Sequence, residues 1–340
     1  MSGREKGPLP LLAITLGDPS GIGPEIVLKA LADETVYRRS RPLVIGDRRI
    51  LARASAFDRV PQLALNPVSS PAEGRYQPGH VTLLDLENAA PEACPVGEVS
   101  AASGRAAVEY VQRACDLCLE GMARAMVTAP LNKDAMNQAG FAYAGHTELL
   151  TERTGAEKVT MLLTSPTLRV VHVSTHVALE EAVRRVTQAR VESVIDLAFQ
   201  GCRALGIEAP RIAVAGLNPH AGEHGLFGEE EAREIMPAVA SARMRGLDVS
   251  DPQPPDTVFL RASEGAYDIV VAMYHDQGHI PMKLLAFDKG VNVSLGLPII
   301  RTSVDHGTAF DIAGTGKARE TSLLAAIDVA LRMIAAGETR

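Results

Sequence analysis

Eight short runs of aliphatic and β-branched residues, at 11–16, 43–46, 81–86, 125–128, 159–163, 168–173, 212–215 and 269–273, alternate with stretches of helical character. Short, almost unbroken apolar runs of this kind are carried by strands whose two faces are both covered by helices; a sheet with one wet face alternates apolar with polar instead. The chain therefore reads as an α/β protein with largely parallel sheets. The helices between the runs carry their own signals. One opens at Gly23 with Pro24 in the first helical position, others span 100–120 and run from Thr187 to Gly206, and the last runs from Arg319 to Ala335. The proline-rich stretch 251–256 reads as a surface loop, and no internal repeat interrupts the alternation. With 340 residues, 46% of them hydrophobic, the chain has the length and apolar content for two domains of roughly 150 residues each.

The formal net charge of −7 excludes nucleic acid as a bulk partner, which calls for a basic face. An acidic protein that binds an anion must gather Lys, Arg and His locally, so such clusters carry information here. No stretch approaches the ~20 apolar residues that span a bilayer, and the run 11–16 is too short for a signal-peptide core after the polar residues 1–10. A cytoplasmic protein without membrane partners is expected. Cys115 and Cys118 form a C-x-x-C with no second pair to complete a zinc site, and they share a face of the helix 100–120. Together with Cys94 and Cys202 they read as structural thiols of a reducing compartment.

Four segments carry chemistry. In Gly17-Asp18-Pro19-Ser20-Gly21-Ile22-Gly23-Pro24-Glu25 a glycine-rich turn leads into a helix start, where free N–H groups offer a potential anion site. It is neither a Walker loop nor a dinucleotide fingerprint, and a plain strand-to-helix connection explains it as well. His176, His220 and His275 each stand one to a few residues past the end of an apolar run. That is the edge at which open α/β sheets bind ligands, and three imidazoles with an open fourth position suit zinc or a similar cation. A third group, His146, Thr147, Lys283, Asn292 and Arg301, suits phosphate and carboxylate, Arg by its fork and Lys as a point charge. Thr147 serves equally well as a helix cap. The fourth segment, 305–317, is a glycine-rich loop before the terminal helix.

At these segments the chain resembles the 4-hydroxythreonine-4-phosphate dehydrogenase family, including its branch acting on D-threonate or D-erythronate 4-phosphate. The resemblance runs from Leu11 to about Ala336. It rests on the 17–25 motif, Asn218-Pro219-His220-Ala221-Gly222-Glu223, Tyr274-His275-Asp276-Gln277-Gly278, Gly290-Val291-Asn292, and Arg301-Thr302-Ser303-Val304-Asp305-His306-Gly307-Thr308. The first and last of these also look like isocitrate and isopropylmalate dehydrogenases, which implies a two-domain α/β/α fold of that kind. The resemblance implies a metal held by His176, His220 and His275, with Zn2+ foremost and Mg2+, Co2+, Ni2+ or Mn2+ as alternatives. It also implies substrate contacts from His146, Thr147, Lys283, Asn292 and Arg301, and NAD or NADP held by His306, Gly307, Thr308 and Ala309. His275, Asp276 and Lys283 become the catalytic candidates, Lys283 either as a proton shuttle or as a counter-charge. A homodimer with a shared active site is implied as well.

The expected activity is oxidation and decarboxylation of a small 4-phosphorylated hydroxy acid. With an amine at C2 the product is 3-amino-2-oxopropyl phosphate, as in pyridoxine biosynthesis; with a hydroxyl at C2 it is dihydroxyacetone phosphate. His279, with Phe287-Asp288-Lys289, tilts the reading toward the hydroxyl branch. Phosphate acyltransferases of similar fold are the rival class, and they need no three-histidine metal. The expected division assigns 1–130 with 290–340 to a domain carrying the cofactor loop. It assigns 131–289 to a domain carrying metal and substrate residues and dimer contacts.

Overall fold

The computed structural model describes residues 8–286 and 288–338; Phe287 and the polar residues 1–7 read above lie outside the described residues. Twelve strands are described: β1 (Leu11–Thr15), β2 (Arg41–Gly46), β3 (Ala64–Val68), β4 (His80–Asp85), β5 (Ala125–Thr128), β6 (Thr160–Thr164), β7 (Arg169–His172), β8 (Ile212–Ala215), β9 (Val249–Gln253), β10 (Ile269–Ala272), β11 (Val291–Leu295) and β12 (Arg301–Val304). The chain divides into two compact units, Met1–Gly155 with Pro298–Ile334, and Ala156–Leu297 with Ala335–Arg340. His146, Thr147 and Arg301 therefore belong to the first unit, and His176, His220, His275, Lys283 and Asn292 to the second.

In the first unit six strands run in the order β3-β4-β2-β1-β5-β12, and every neighbouring pair is parallel. The continuous apolar runs lie at its centre: all five residues of β1 and all four of β5 are buried. Each such Leu or Ile removed from water contributes about 1.5–3 kcal/mol, so Ile14→Ala would cost roughly 2–5 kcal/mol. The helix Ala101–Leu119 is capped by Ser100, whose hydroxyl accepts from the N–H groups of Ala102 and Ser103.

In the second unit the order is β11-β6-β7-β10-β8-β9. Strands β7, β10, β8 and β9 are parallel, and β6 is antiparallel to both β7 and β11. Because β7, β10 and β8 are adjacent and parallel, the segments that leave their C-terminal ends, at His172, Ala272 and Ala215, emerge along one edge. The helix Gln188–Ala204 begins where Thr187 accepts from the N–H of Arg190.

The α/β class expected from the pattern is the one observed, and all eight apolar runs are strands. Four further strands carry weaker signals. β3 and β9 are the end strands of their units and contain Pro67 and Pro252, which an edge tolerates because one side of the backbone needs no partner. The expectation of a surface loop over 251–256 is corrected accordingly: Asp251–Gln253 belong to β9, with an irregular register against β8. β12 reads polar yet is buried throughout, because its polar side chains face internal partners.

Candidate active site

His176, His275 and three further residues of one helix gather at the shared strand edge of the second unit. His275 opens the helix His275–Ala286, and its Nδ1 lies 2.7 Å from Asp276 Oδ1. A carboxylate on one ring nitrogen fixes the tautomer and leaves the other nitrogen's lone pair available. The His176 ring stands 5.7 Å from the His275 ring, centroid to centroid. Both line a cleft of about 520 Å3 with Thr175, Leu179, Ala182 and Tyr274. His275, His279 and Lys283 follow one another at four-residue spacing, so they share one helix face. His279 stacks on His275, and its Nδ1–H donates to the His275 carbonyl, 3.0 Å away.

Behind this row lies His172, the last residue of β7, fully buried and with neither ring nitrogen partnered. Burial holds it well below the ordinary imidazole range, followed by the effect of His279, so it is neutral. Its ring packs 4.7 Å from that of His279. Gly278 makes room for it: a Cβ there would stand 2.4 Å from His172 Nε2. Gln277 ties two strand ends together, accepting from the Met273 N–H at 2.7 Å and donating to the Gly216 carbonyl at 2.8 Å.

His220 sits on a turn of unusual backbone. His220, Ala221, Glu223 and His224 all have left-handed φ values, of 52°, 55°, 43° and 58°, a conformation that costs L-residues roughly 1–2 kcal/mol each. The buried carboxylate of Glu231 holds the turn in place. It accepts from the N–H groups of Leu217 and Asn218 at 2.8 and 2.7 Å, and from the Asn218 amide at 2.9 Å. Non-glycine residues held this way are found where surrounding structure over-determines a functional segment. Among the described residues of one chain, no three His, Cys, Asp or Glu side chains form a group able to hold a metal ion.

In the first unit Arg301, the first residue of β12, is a buried cation, 2% exposed. Its Nε and Nη2 donate to Thr128 Oγ1 at 3.2 and 2.8 Å. Burial pulls its pKa down to about 9, so it remains charged at neutral pH. His146 opens the helix His146–Thr154; its Nε2 is closed off from solvent and has no hydrogen-bond partner. Burial, then Arg301, then Lys133, hold His146 well below the ordinary range, so its ring is neutral. A fixed guanidinium beside an unsatisfied neutral imidazole favours an anion that also carries a polar edge. Thr147 is the second residue of that helix, and Gly145 occupies the cap position instead.

The two glycine-rich segments, nearly 300 residues apart, meet in the first unit. The Ile22 N–H donates to the Thr308 carbonyl at 3.0 Å. A Cβ on Gly21 would stand 2.8 Å from that of Thr308, so only glycine permits the approach. Of the two readings of the first turn, the plain strand-to-helix connection is the one its hydrogen bonds favour over an anion site. The N–H groups of Asp18, Ser20, Gly21 and Ile22 are consumed by Pro130, the Asp18 carboxylate, the Asp18 carbonyl and Thr308. His306 and Gly307 are exposed, and space is open beside the Gly307 Cα.

The family model described as pyridoxal phosphate biosynthetic protein PdxA matches residues 38–330. The chain belongs to this family. Among its relatives, a D-threonate 4-phosphate dehydrogenase of Salmonella typhimurium is 51% identical over 95% of the chain and 98% of its own length. A 4-hydroxythreonine-4-phosphate dehydrogenase of Desulfosudis oleivorans is 49% identical over 95% of the chain and 96% of its own length. A solved 4-hydroxythreonine-4-phosphate dehydrogenase from Klebsiella pneumoniae superposes with a TM-score of 0.87 at 46% identity, covering 97% of this chain and 99% of that one.

In this PdxA-family chain, the remaining candidates fall on a strand and on the loop after β12. Asn292 lies on β11, with its amide against Met161 Sδ at 2.7 Å. Ala309 adopts a φ of 43° in the loop after β12. His172, Gln277, Glu231 and Thr128 escaped sequence reading. Their signals are a histidine inside an aliphatic run, a glutamine within the 274–278 motif, and two polar residues with no motif of their own. The four cysteines are free, three of them buried, and burial pushes Cys115 up to about 11 and Cys118 up to about 12, which suits inert thiols. Among the described residues no helix is long and apolar enough to cross a membrane.

Proposed function

We propose that this protein is a nicotinamide-dependent dehydrogenase that oxidises and decarboxylates a four-carbon 4-phosphorylated hydroxy acid, with D-threonate or D-erythronate 4-phosphate as substrate. The observation that carries the reading is Arg301, a buried guanidinium fixed by Thr128 beside the unpartnered Nε2 of His146. Such a cation is preorganised for a phosphate or carboxylate oxygen, and its geometry costs nothing to assemble when the substrate arrives. Thr147, Asn292 and Lys283 are further substrate-binding candidates in this reading, Thr147 in the first unit and the other two in the second. Exposed His306 and open Gly307, with Thr308 and Ala309, offer the surface for NAD or NADP.

A nicotinamide held by the His306–Ala309 loop would take up the hydride from C3 as the C3 hydroxyl gives up its proton, leaving a 2-hydroxy-3-oxo acid. The C1–C2 bond then breaks, carbon dioxide departs, and the bonding pair moves toward the C3 oxygen as an enolate. Protonation at C2 gives dihydroxyacetone phosphate. A divalent metal, zinc foremost, supplies Lewis acidity for both steps when bound. The donor set fits such an ion in kind: His275 is oriented by Asp276, His176 is its neighbour, and His220 is held on a braced turn after the adjacent strand. Among the described residues of one chain no such group of three forms, and in this reading a homodimer completes the set. The helix that carries His275 favours this, because Ile280 and Leu284, 57% and 81% exposed, offer apolar area for a second copy. Lys283, on the His275 face of that helix, neutralises the departing carboxylate or moves the proton.

The hydroxyl at C2 is favoured over the amine by polar, half-buried His279 next to His275, and by the name of the 51% identical Salmonella relative. The amine-bearing 4-phosphohydroxy-L-threonine is the second reading, favoured by the Desulfosudis relative. Measuring kcat/KM for both acids decides between them, because a site built for one polar group discriminates strongly against its analogue. A large preference for D-threonate 4-phosphate is expected. A large preference for the amine assigns the biosynthetic reaction instead.

A further inference from the structure

The helix Gly23–Leu31 does more than follow the first glycine-rich turn. Ile22 at its cap, through the main-chain N–H, and Glu25 and Lys29 on one face hold the loop after β12 at successive points. Besides the Ile22 bond to Thr308, the carboxylate of Glu25 accepts from the Gly314 N–H. One turn further, the Lys29 ammonium donates to the carbonyls of Gly316 and Ala318 at 2.7 and 2.6 Å. The spacing of four residues is what places Glu25 and Lys29 on a single face. Glu25 is fully buried, and burial raises its carboxyl above the ordinary range. Burying a carboxyl that the Gly314 and Gly316 N–H groups and Lys29 face is a costly arrangement for a mere connection.

The loop it grips has local turns of its own, with the Ile312, Ala313 and Thr315 N–H groups donating to the carbonyls of Ala309, Phe310 and Ile312. Gly314 and Gly316 have φ values of 76° and 67°, and a Cβ on Gly316 would run into the Asp58 carbonyl at 1.7 Å. The loop therefore follows a path that only glycine permits. Two charged groups act on its main chain rather than on any side chain that varies along it.

We infer that Glu25 and Lys29 are positioning residues for the dinucleotide: they fix the path of residues 308–318 so that His306–Ala309 present a preformed surface to it. The inference rests on the reading that this loop holds NAD or NADP. Neither residue is a catalytic group, and neither is placed against the phosphorylated acid. Their loss raises the entropy of the free loop, which nucleotide binding must then remove.

The test is NADH affinity measured by titration calorimetry on the full-length protein, alongside KM for the acid and the melting temperature. Lys29→Met, which keeps the apolar stem, is expected to weaken NADH binding about tenfold, the scale of lost charge-assisted hydrogen bonds. KM for the acid and kcat at saturating nucleotide stay within about twofold. Lys29→Arg restores binding, and Glu25→Ala, which leaves the Gly314 N–H unpaired, weakens it like Lys29→Met. Unchanged NADH affinity in Lys29→Met, or equal losses toward nucleotide and acid, overturns the inference. His306→Ala and Thr308→Val separate the two claims. If they leave NADH affinity unchanged, the loop is not the nucleotide site and the underlying reading fails. If they weaken it while Lys29→Met does not, the clasp alone fails.

Discussion

His279 lies almost flat on His275, with ring centroids 3.6 Å apart and planes 10° from parallel, and its Nδ1 sits 3.0 Å from the His275 carbonyl. One turn of helix thus places a second imidazole directly against the one that Asp276 orients. If His279 selects a C2 hydroxyl, His279→Leu removes a polar contact but keeps comparable bulk. The ratio of kcat/KM for D-threonate 4-phosphate to that for 4-phosphohydroxy-L-threonine should fall about tenfold or more, the scale of one buried hydrogen bond. Steady-state kinetics on both acids check this, and an unchanged ratio removes His279 from selection.

Arg301 is anchored by two hydrogen bonds to one hydroxyl, Thr128 Oγ1. Arg301→Lys retains charge but loses the fork, so KM for the phosphorylated acid should rise on the order of 100-fold. Thr128→Val, which loosens the guanidinium without removing it, should raise KM by roughly tenfold. Near-parental kinetics for Arg301→Lys would take the residue out of substrate binding.

The left-handed turn at His220 depends on Glu231, whose carboxylate satisfies two main-chain N–H groups and the Asn218 amide. Glu231→Ala should cost roughly 2–4 kcal/mol of stability and lower zinc affinity, since the His220 ring loses its placement. Urea unfolding and competitive metal titration measure the two effects. Full stability in the variant contradicts the bracing role.

Much of this architecture was legible before any coordinates. Unbroken apolar runs specified the buried central strands, because a strand covered on both faces needs no polar alternation. The three histidines stood out by their parallel placement just past apolar runs, and Arg301 as a basic residue in a sparsely charged, glycine-punctuated part of the chain. Two kinds of feature were not legible. Edge strands β3 and β9 tolerate Pro67 and Pro252, which elsewhere signal loops. Bracing residues such as Gln277, Thr128 and Glu231 act through contacts between segments distant in sequence, and no local pattern marks those contacts. The two readings of the glycine-rich turn could not be separated locally for a related reason: two of its N–H groups are taken up by Pro130 and Thr308 from far along the chain.

Asp18 supplies a pH signature. Burial raises its carboxyl to about 6, against the lowering effect of the Ser20 and Asn132 N–H groups. Its unfolded value lies lower, so the folded chain binds the proton more tightly. The stability from this group is fully present below the unfolded value and is lost as pH rises through about 6. Asp18→Asn keeps an acceptor for Ser20 but cannot ionise. Relative to the parent, the variant should gain on the order of 1 kcal/mol between about pH 5 and pH 8. Denaturant unfolding at both pH values tests this, and parallel profiles for the two proteins argue against a raised Asp18.

The most direct test of the whole account is the stoichiometry of the reaction with D-threonate 4-phosphate and NAD, before and after the divalent metal is stripped and restored. The account predicts one NADH and one carbon dioxide for each acid consumed, with dihydroxyacetone phosphate as product. Turnover should vanish on stripping and return with zinc. No NADH from either acid with metal present, or full turnover in protein shown by elemental analysis to be metal-free, would contradict it.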